Sequence, residues 1–391
     1  MSDVATRSRP SLDTIRTDNV GSLLRPARWK EARKQLDEGK LDRAAFAGVE
    51  EACVRDFVKL QESIGLDVIT DGEISRLNFQ DSFGLAVSGY DVQSKADTVK
   101  IQEERAKGGS AMRRWDIPDL HQPGTAVAHR RPVYAKLKLI RNVPLEEYRR
   151  VAPMAHQPVK VSLIGPDRIS QRFAHERSRD VYRDMDAFLA DVVAIQRQMI
   201  TALIEAGCRY VHIDAPGFTA YVDEPSLEEM RQRGEDPDAN LARSISAEAA
   251  VAAGFPGITF GLHLCRGNQR SMWHREGTYD AIAERLFNEA PHQRFLLEYD
   301  SPRAGGFEPL RYVPRGKVVV LGLISTKVTP LESVDDLRRR IDEAARYLPL
   351  EQLAITPQCG FGSDAVGNLI SEDDQKRKLE RMVEVARLVW N

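Results

Sequence analysis

Eight short apolar runs alternate with longer amphipathic ones, and this alternation restricts the chain more than any other feature. The runs are residues 17–23, 68–73, 159–165, 210–215, 258–265, 295–300, 318–325 and 353–359. Gly, Pro, Asp or Asn bounds them, and most are apolar on both faces. A strand apolar on both faces has to be covered on both faces, the situation of a parallel strand under helices. Between the runs, residues 185–206 carry apolar side chains at three- and four-residue spacing and stop at Gly207, a residue suited to a helix C-terminus. Residues 333–347 open with Ser333 and two aspartates and align Leu337, Ile341, Ala344 and Ala345 on one face. Residues 371–390 open with Ser-Glu-Asp-Asp and close the chain. The pattern predicts an α/β fold, a (β/α)8 TIM barrel. A doubly wound open sheet is the alternative, but no Gly-x-Gly-x-x-Gly follows the first run.

Two stretches break the alternation. Residues 89–150 are long, polar and rich in Arg and Lys, with a strand-like segment at 133–139. They read as an insertion after the second strand that forms a small hairpin, covers the barrel mouth or contacts another subunit. Residues 223–240 read as a second, acidic insertion after the fourth strand. Barrels with insertions reach 391 residues in one domain, so residues 1–391 are read as a single catalytic barrel. With 56 basic and 58 acidic side chains the net charge is −2, which gives no field for drawing in nucleic acid or anionic lipid. The first ten residues lack the apolar stretch of a signal peptide, and no run reaches the roughly 18 apolar residues of a membrane span. A cytoplasmic protein with a small-molecule substrate is expected. Cys53, Cys208, Cys265 and Cys359 are too few for a disulfide scaffold in this length. In a reducing compartment each is a small buried group, a ligand or a reactive thiol.

Barrel enzymes carry their chemistry where strands end, on the C-terminal face. The fifth run ends in Gly261-Leu-His-Leu-Cys-Arg-Gly267, which points His263 and Cys265 to the same side. The sixth ends in Leu297-Glu298-Tyr-Asp300, the eighth in Pro357-Gln-Cys359-Gly360. Alone, each of these groups has a plainer role as a core histidine, a loop carboxylate or a buried thiol. Together at corresponding strand ends, His263, Cys265, Glu298 and Cys359 form a ligand set that suits Zn²⁺. Two thiolates and a carboxylate leave such a site with one excess negative charge. A substrate thiol that joins it loses its proton and stays nucleophilic, which suits an alkyl acceptor. Asp71-Gly-Glu73 ends the second run and Asp214 ends the fourth, so Glu73 and Asp214 could clamp an ammonium group beside that thiol. Asp71 reads equally well as a turn residue. Val20-Gly21-Ser22 ends the first run with free backbone N–H groups suited to a carboxylate.

At these residues the chain resembles the cobalamin-independent methionine synthases, specifically their C-terminal catalytic barrel and the short single-barrel members. The likeness runs from about Thr17 to Trp390, through Val20-Gly-Ser22, Asp71-Gly-Glu73, His212-Ile-Asp214, His263-Leu-Cys-Arg-Gly-Asn268, Leu297-Glu-Tyr-Asp300 and Pro357-Gln-Cys-Gly-Phe361. It implies zinc held by His263, Cys265, Glu298 and Cys359. It implies homocysteine gripped by Ser22, Glu73 and Asp214, and a 5-methyl-tetrahydrofolate donor with a polyglutamate tail. The implied partners are thus a small-molecule thiol and a methyl donor, without nucleic acid or membrane, and with a homo-oligomer allowed. Three departures stand out. Ala215 occupies a position where the family usually has Glu. Ser325-Thr-Lys-Val328 lacks the histidine that long members carry after the seventh strand, leaving Lys327 as a candidate proton donor or a solvated lysine. The absent N-terminal barrel removes part of a polyglutamate surface, for which Arg113, Arg114, Arg130 and Arg131 are candidate replacements. Trp273 is a candidate stacking platform for a flat donor, or a packing aromatic. Two rival expectations are epoxide opening by a sulfonated thiol such as coenzyme M, and a zinc-stabilised binding protein without turnover.

Overall fold

The computed structural model describes Leu12 and residues 14–90 and 130–390. Arg113, Arg114 and most of the 89–150 insertion lie outside the described residues. β1 (Val87–Tyr90) pairs antiparallel with β2 (Val133–Leu139), the strand-like segment of the insertion. β3 (Lys160–Ile164), β4 (Tyr210–Asp214), β5 (Thr259–Leu264), β6 (Arg294–Glu298), β7 (Val318–Ile324) and β8 (Leu353–Pro357) form a parallel sheet in that order. Every residue of β3, β6 and β8 is buried, as two-sided apolar runs require. Two further staves close the ring. Thr17 bridges Ile355 of β8, and Ile69 bridges Val159 just ahead of β3, both in parallel. The architecture is the (β/α)8 TIM barrel the alternation predicts, with insertions after the second and fourth strands.

The first two staves differ from expectation. The sequence predicts full strands over 17–23 and 68–73; each is instead a single bridge to its outer neighbour. Side chains do much of the joining between them. The Asp67 carboxylate accepts from the backbone N–H of Arg16 at 2.7 Å and of Thr17 at 2.8 Å, and Thr17 Oγ1 accepts from the Asp67 N–H at 2.9 Å. Higher up, Thr70 Oγ1 donates to the Gly21 carbonyl at 2.6 Å. Side-chain oxygens that take backbone N–H groups replace the ladder locally, which apolar alternation does not foresee.

The helices follow their sequence signals closely. Met185–Glu205 starts at Asp184, whose side chain caps the Ala187 N–H at 2.8 Å, and Gly207 follows it at φ 102°. It is long and apolar enough by length and composition to cross a membrane, yet it buries Phe188, Val192, Met199 and Leu203 in the core. Val334–Ala344 starts at Ser333, which caps the Asp336 N–H, and Glu372–Trp390 ends the barrel. Residues 223–240 fold as the helix Glu224–Gln232 and the first turn of Pro237–Ala252. The barrel floor is ionic. Asp18 lies 2.5 Å from Lys160 Nζ, 3.5 Å from Arg294 and 2.6 Å from the Tyr210 hydroxyl, all buried.

Candidate active site

β5 delivers His263, and Cys265 follows one residue past the strand; Cys359 stands two residues past β8. The ligand atoms of these three side chains lie within 4.8 Å of one another, and all three residues are buried. The two sulfurs are 3.8 Å apart. That is nearly twice a disulfide bond of about 2.05 Å, and close to the ~3.8 Å between two sulfurs each ~2.3 Å from a tetrahedral ion. His263 Nδ1 is 3.0 Å from the Leu296 carbonyl, so its N–H donates there. Its Nε2 is buried without a hydrogen-bond partner. A carbonyl behind one ring nitrogen and an open lone pair on the other is how ligating imidazoles are oriented. The donor set therefore fits zinc.

The fourth expected ligand stands slightly apart. Glu298 ends β6, fully buried. One carboxylate oxygen accepts the Arg266 backbone N–H. The other has no hydrogen-bond partner and lies 3.6 Å from Arg303 and 3.7 Å from Lys327. Lys327 is thus buried beside a carboxylate, not a solvated surface lysine. Among the sulfurs, the hydrogen bond between Cys265 and Cys359 holds the Cys359 thiol well below its ordinary range, and the same bond pushes Cys265 well up. Two adjacent thiols cannot both ionise unaided; a cation between them removes that conflict.

Asp214 ends β4 and pairs with His263 in the β4–β5 register. Burial pushes its carboxyl up to about 7, and its Oδ1 has no hydrogen-bond partner. A pocket opens over Asp214, Cys265 and Cys359, with Asn78, Arg168 and His274 in its walls.

Ser22 and Glu73 do not line that pocket. Ser22 Oγ accepts the Gly362 N–H at 3.3 Å, and the Ser22 carbonyl accepts the Phe361 N–H at 2.9 Å. A Cβ on Gly360 would stand 2.0 Å from Ser22 Oγ, so only glycine fits there. Glu73 has a left-handed backbone, φ 53°, a strained state for a residue with a side chain. Asp71 Oδ1 accepts the Glu73 N–H at 2.9 Å and so acts as the turn residue. Glu73 Oε1 accepts from Ser162 Oγ at 2.5 Å and lies 3.4 Å from Arg76. The structure thus gathers His263, Cys265, Cys359 and Asp214 in one group and Ser22 and Glu73 in another, joined through the Cys359–Gly360 turn.

Several groups here had no sequence signal. Arg76 and Arg25 are buried cations, whereas hydropathy places arginine outside. Trp273 is 42% exposed with the Arg303 guanidinium 4.8 Å from its ring centre, and it does not line the pocket. Arg130 pairs with Glu176 at 3.2 Å and Arg131 lies over Tyr90 at 5.0 Å, so both engage the protein itself.

Fold and site together define a class: a (β/α)8 barrel that gathers a His–Cys–Cys group able to hold a metal ion, and buried carboxylates, at the C-terminal ends of its strands. Residues 15–113 match the family model described as cobalamin-independent synthase, catalytic domain. The Bacillus subtilis protein YxjH, itself uncharacterized, is 33% identical over 381 residues, 96% of this chain and 95% of that protein. The methionine synthase of Pyrococcus abyssi is 25% identical over 381 residues, 97% of this chain and 94% of its own. Among solved structures, a B12-independent methionine synthase from a Shewanella species, in complex with selenomethionine, matches with a TM-score of 0.68 at 17% identity, covering 96% of this chain and 97% of that one. The chain belongs to the cobalamin-independent methionine synthase family.

Proposed function

We propose that the chain is a single-domain, zinc-dependent S-methyltransferase that moves a methyl group from a 5-methyl-tetrahydrofolate-type donor to the thiol of homocysteine, giving methionine. The observation that carries this reading is the buried His263–Cys265–Cys359 group, with its 3.8 Å sulfur separation and open Nε2. Relatives named methionine synthase support it, as does a fold neighbour that holds the selenium analogue of the product.

His263, Cys265, Cys359 and Glu298 would hold the zinc. Bound there, zinc would make the substrate thiol acidic and keep its sulfur nucleophilic. Asp214 offers an unpartnered oxygen to the substrate ammonium. Glu73 adds negative charge from a rigid turn, and the Gly21–Ser22 segment serves the carboxylate. The thiol loses one proton and the departing donor nitrogen gains one, so the reaction is proton-neutral. The pair Asp214 and Glu73 suits an ammonium better than a sulfonate, which argues for an amino-acid thiol over coenzyme M. All four cysteines are free thiols, which fits a reducing, cytoplasmic setting.

Methionine formation from homocysteine and 5-methyl-tetrahydrofolate by the zinc-loaded protein tests the reading, alongside zinc-edge X-ray absorption. Turnover is expected, with one sulfur added to the zinc shell by homocysteine, and with both effects lost in Cys265→Ser and Cys359→Ser. An unchanged shell and no methionine would sink it, and tight binding of a sulfonated thiol would put epoxide opening in its place.

A further inference from the structure

Arg25 is a fully buried arginine just past the first stave, and all four of its hydrogen bonds go to main-chain carbonyls. Nη1 donates to Leu23 at 2.9 Å and Gly362 at 2.8 Å, and Nη2 donates to Glu73 at 2.6 Å and Arg76 at 2.7 Å. These carbonyls belong to three separate chain segments, at the ends of stave one, stave two and β8. The first carries Ser22, the second Glu73 and the third Cys359. One planar, rigid fork thus joins the segments that would hold the two ends of the substrate. An ammonium could not do the same, since it offers three donors without a fixed plane. The frame has little slack: a Cβ on Gly362 would stand 2.7 Å from the Leu23 carbonyl and 2.9 Å from Arg25 Nη1.

We propose that Arg25 is a positioning residue that fixes the distance between the amino-acid clamp at Ser22 and Glu73 and the sulfur centre at Cys265 and Cys359, and thereby selects the length of the thiol. The proposal rests on the reading of an amino-acid thiol as acceptor. Homocysteine has one methylene more than cysteine between the α-carbon and the sulfur. With the clamp at a fixed spacing, the shorter thiol cannot reach the sulfur centre while its ammonium and carboxylate stay bound. Misplacement on this scale is costly to a reaction that depends on in-line approach.

The test compares kcat/KM for homocysteine and cysteine in four zinc-loaded proteins: wild type, Arg25→Lys, Gly362→Ala and Leu337→Ala. Either 5-methyl-tetrahydrofolate or methyl iodide serves as donor, so the readout does not depend on the folate. The wild type is expected to prefer homocysteine by roughly 10- to 200-fold, the usual reach of one methylene. Arg25→Lys should cut that ratio at least tenfold with zinc content retained, and Gly362→Ala, which presses on the same fork from β8, should cut it as well. Leu337→Ala opens the core away from the site, so it should lower the thermal midpoint and leave the ratio alone. The proposal is overturned if folded, zinc-loaded Arg25→Lys and Gly362→Ala keep the wild-type ratio, or if Leu337→Ala shifts it equally. A wild type without preference for homocysteine overturns both this proposal and the acceptor reading, whereas a selective wild type with equally selective variants overturns this proposal alone.

Discussion

At the scale of single residues, the groups legible in the sequence are those whose chemistry depends on type and spacing. His263 and Cys265, two apart at a strand end, and Cys359 at another, were legible for that reason, and the structure brings their ligand atoms within 4.8 Å. Arg25 and Arg76 were not, because a buried guanidinium is defined by the carbonyls and carboxylates around it, and those come from distant segments. His292 is a different case. It is fully buried with Phe260 and Phe295 around it, and burial pushes its imidazole down to about 3. The unfolded chain therefore binds a proton near its ordinary value of about 6.5, while the fold does not. Stability should fall as pH drops below about 6.5, by about 1.4 kcal/mol per pH unit from this residue alone. His292→Phe should flatten the acid limb of a denaturation series measured from pH 7 to pH 5. An unchanged slope would show that His292 does not set it.

At the scale of elements, six of the eight barrel strands matched their apolar runs to within a few residues, because burial on both faces writes itself into composition. The two that did not, around Thr17 and Ile69, are joined to each other largely through polar side chains, and no hydropathy pattern encodes such a seam. Its strength can be measured. Asp67→Ala leaves the N–H groups of Arg16 and Thr17 without their acceptor. At about 1–3 kcal/mol for each unsatisfied group, a loss of roughly 2–6 kcal/mol is expected in urea denaturation. Asp67→Asn keeps one acceptor oxygen and should recover part of it. Hydrogen exchange at the two amides should speed up in step, and equal exchange in both variants would mean the seam is held by other contacts.

At the scale of the whole molecule, a metal held by His263, Cys265 and Cys359 would tie β5 to β8, which lie three strands apart in sheet order. A ligand that binds only the folded chain stabilises all of it. Removal of metal by a chelator should lower the thermal midpoint, and zinc should restore it. At free zinc about 100 times its Kd the gain is about 2.7 kcal/mol. Cys265→Ser and Cys359→Ser should be insensitive to both treatments in differential scanning calorimetry; a midpoint that ignores chelation in the wild type would place the ion elsewhere.

The clamp at Arg25 bears on how freely this mouth can vary. Its four acceptors are peptide oxygens, and a peptide oxygen is present whatever side chain the position carries. Side chains in the loops beyond these carbonyls can therefore change without erasing the bonds that hold the outline of the mouth. A sequence drifting toward a new donor, or a library built to seek one, keeps the same chassis as long as position 25 remains arginine and position 362 glycine.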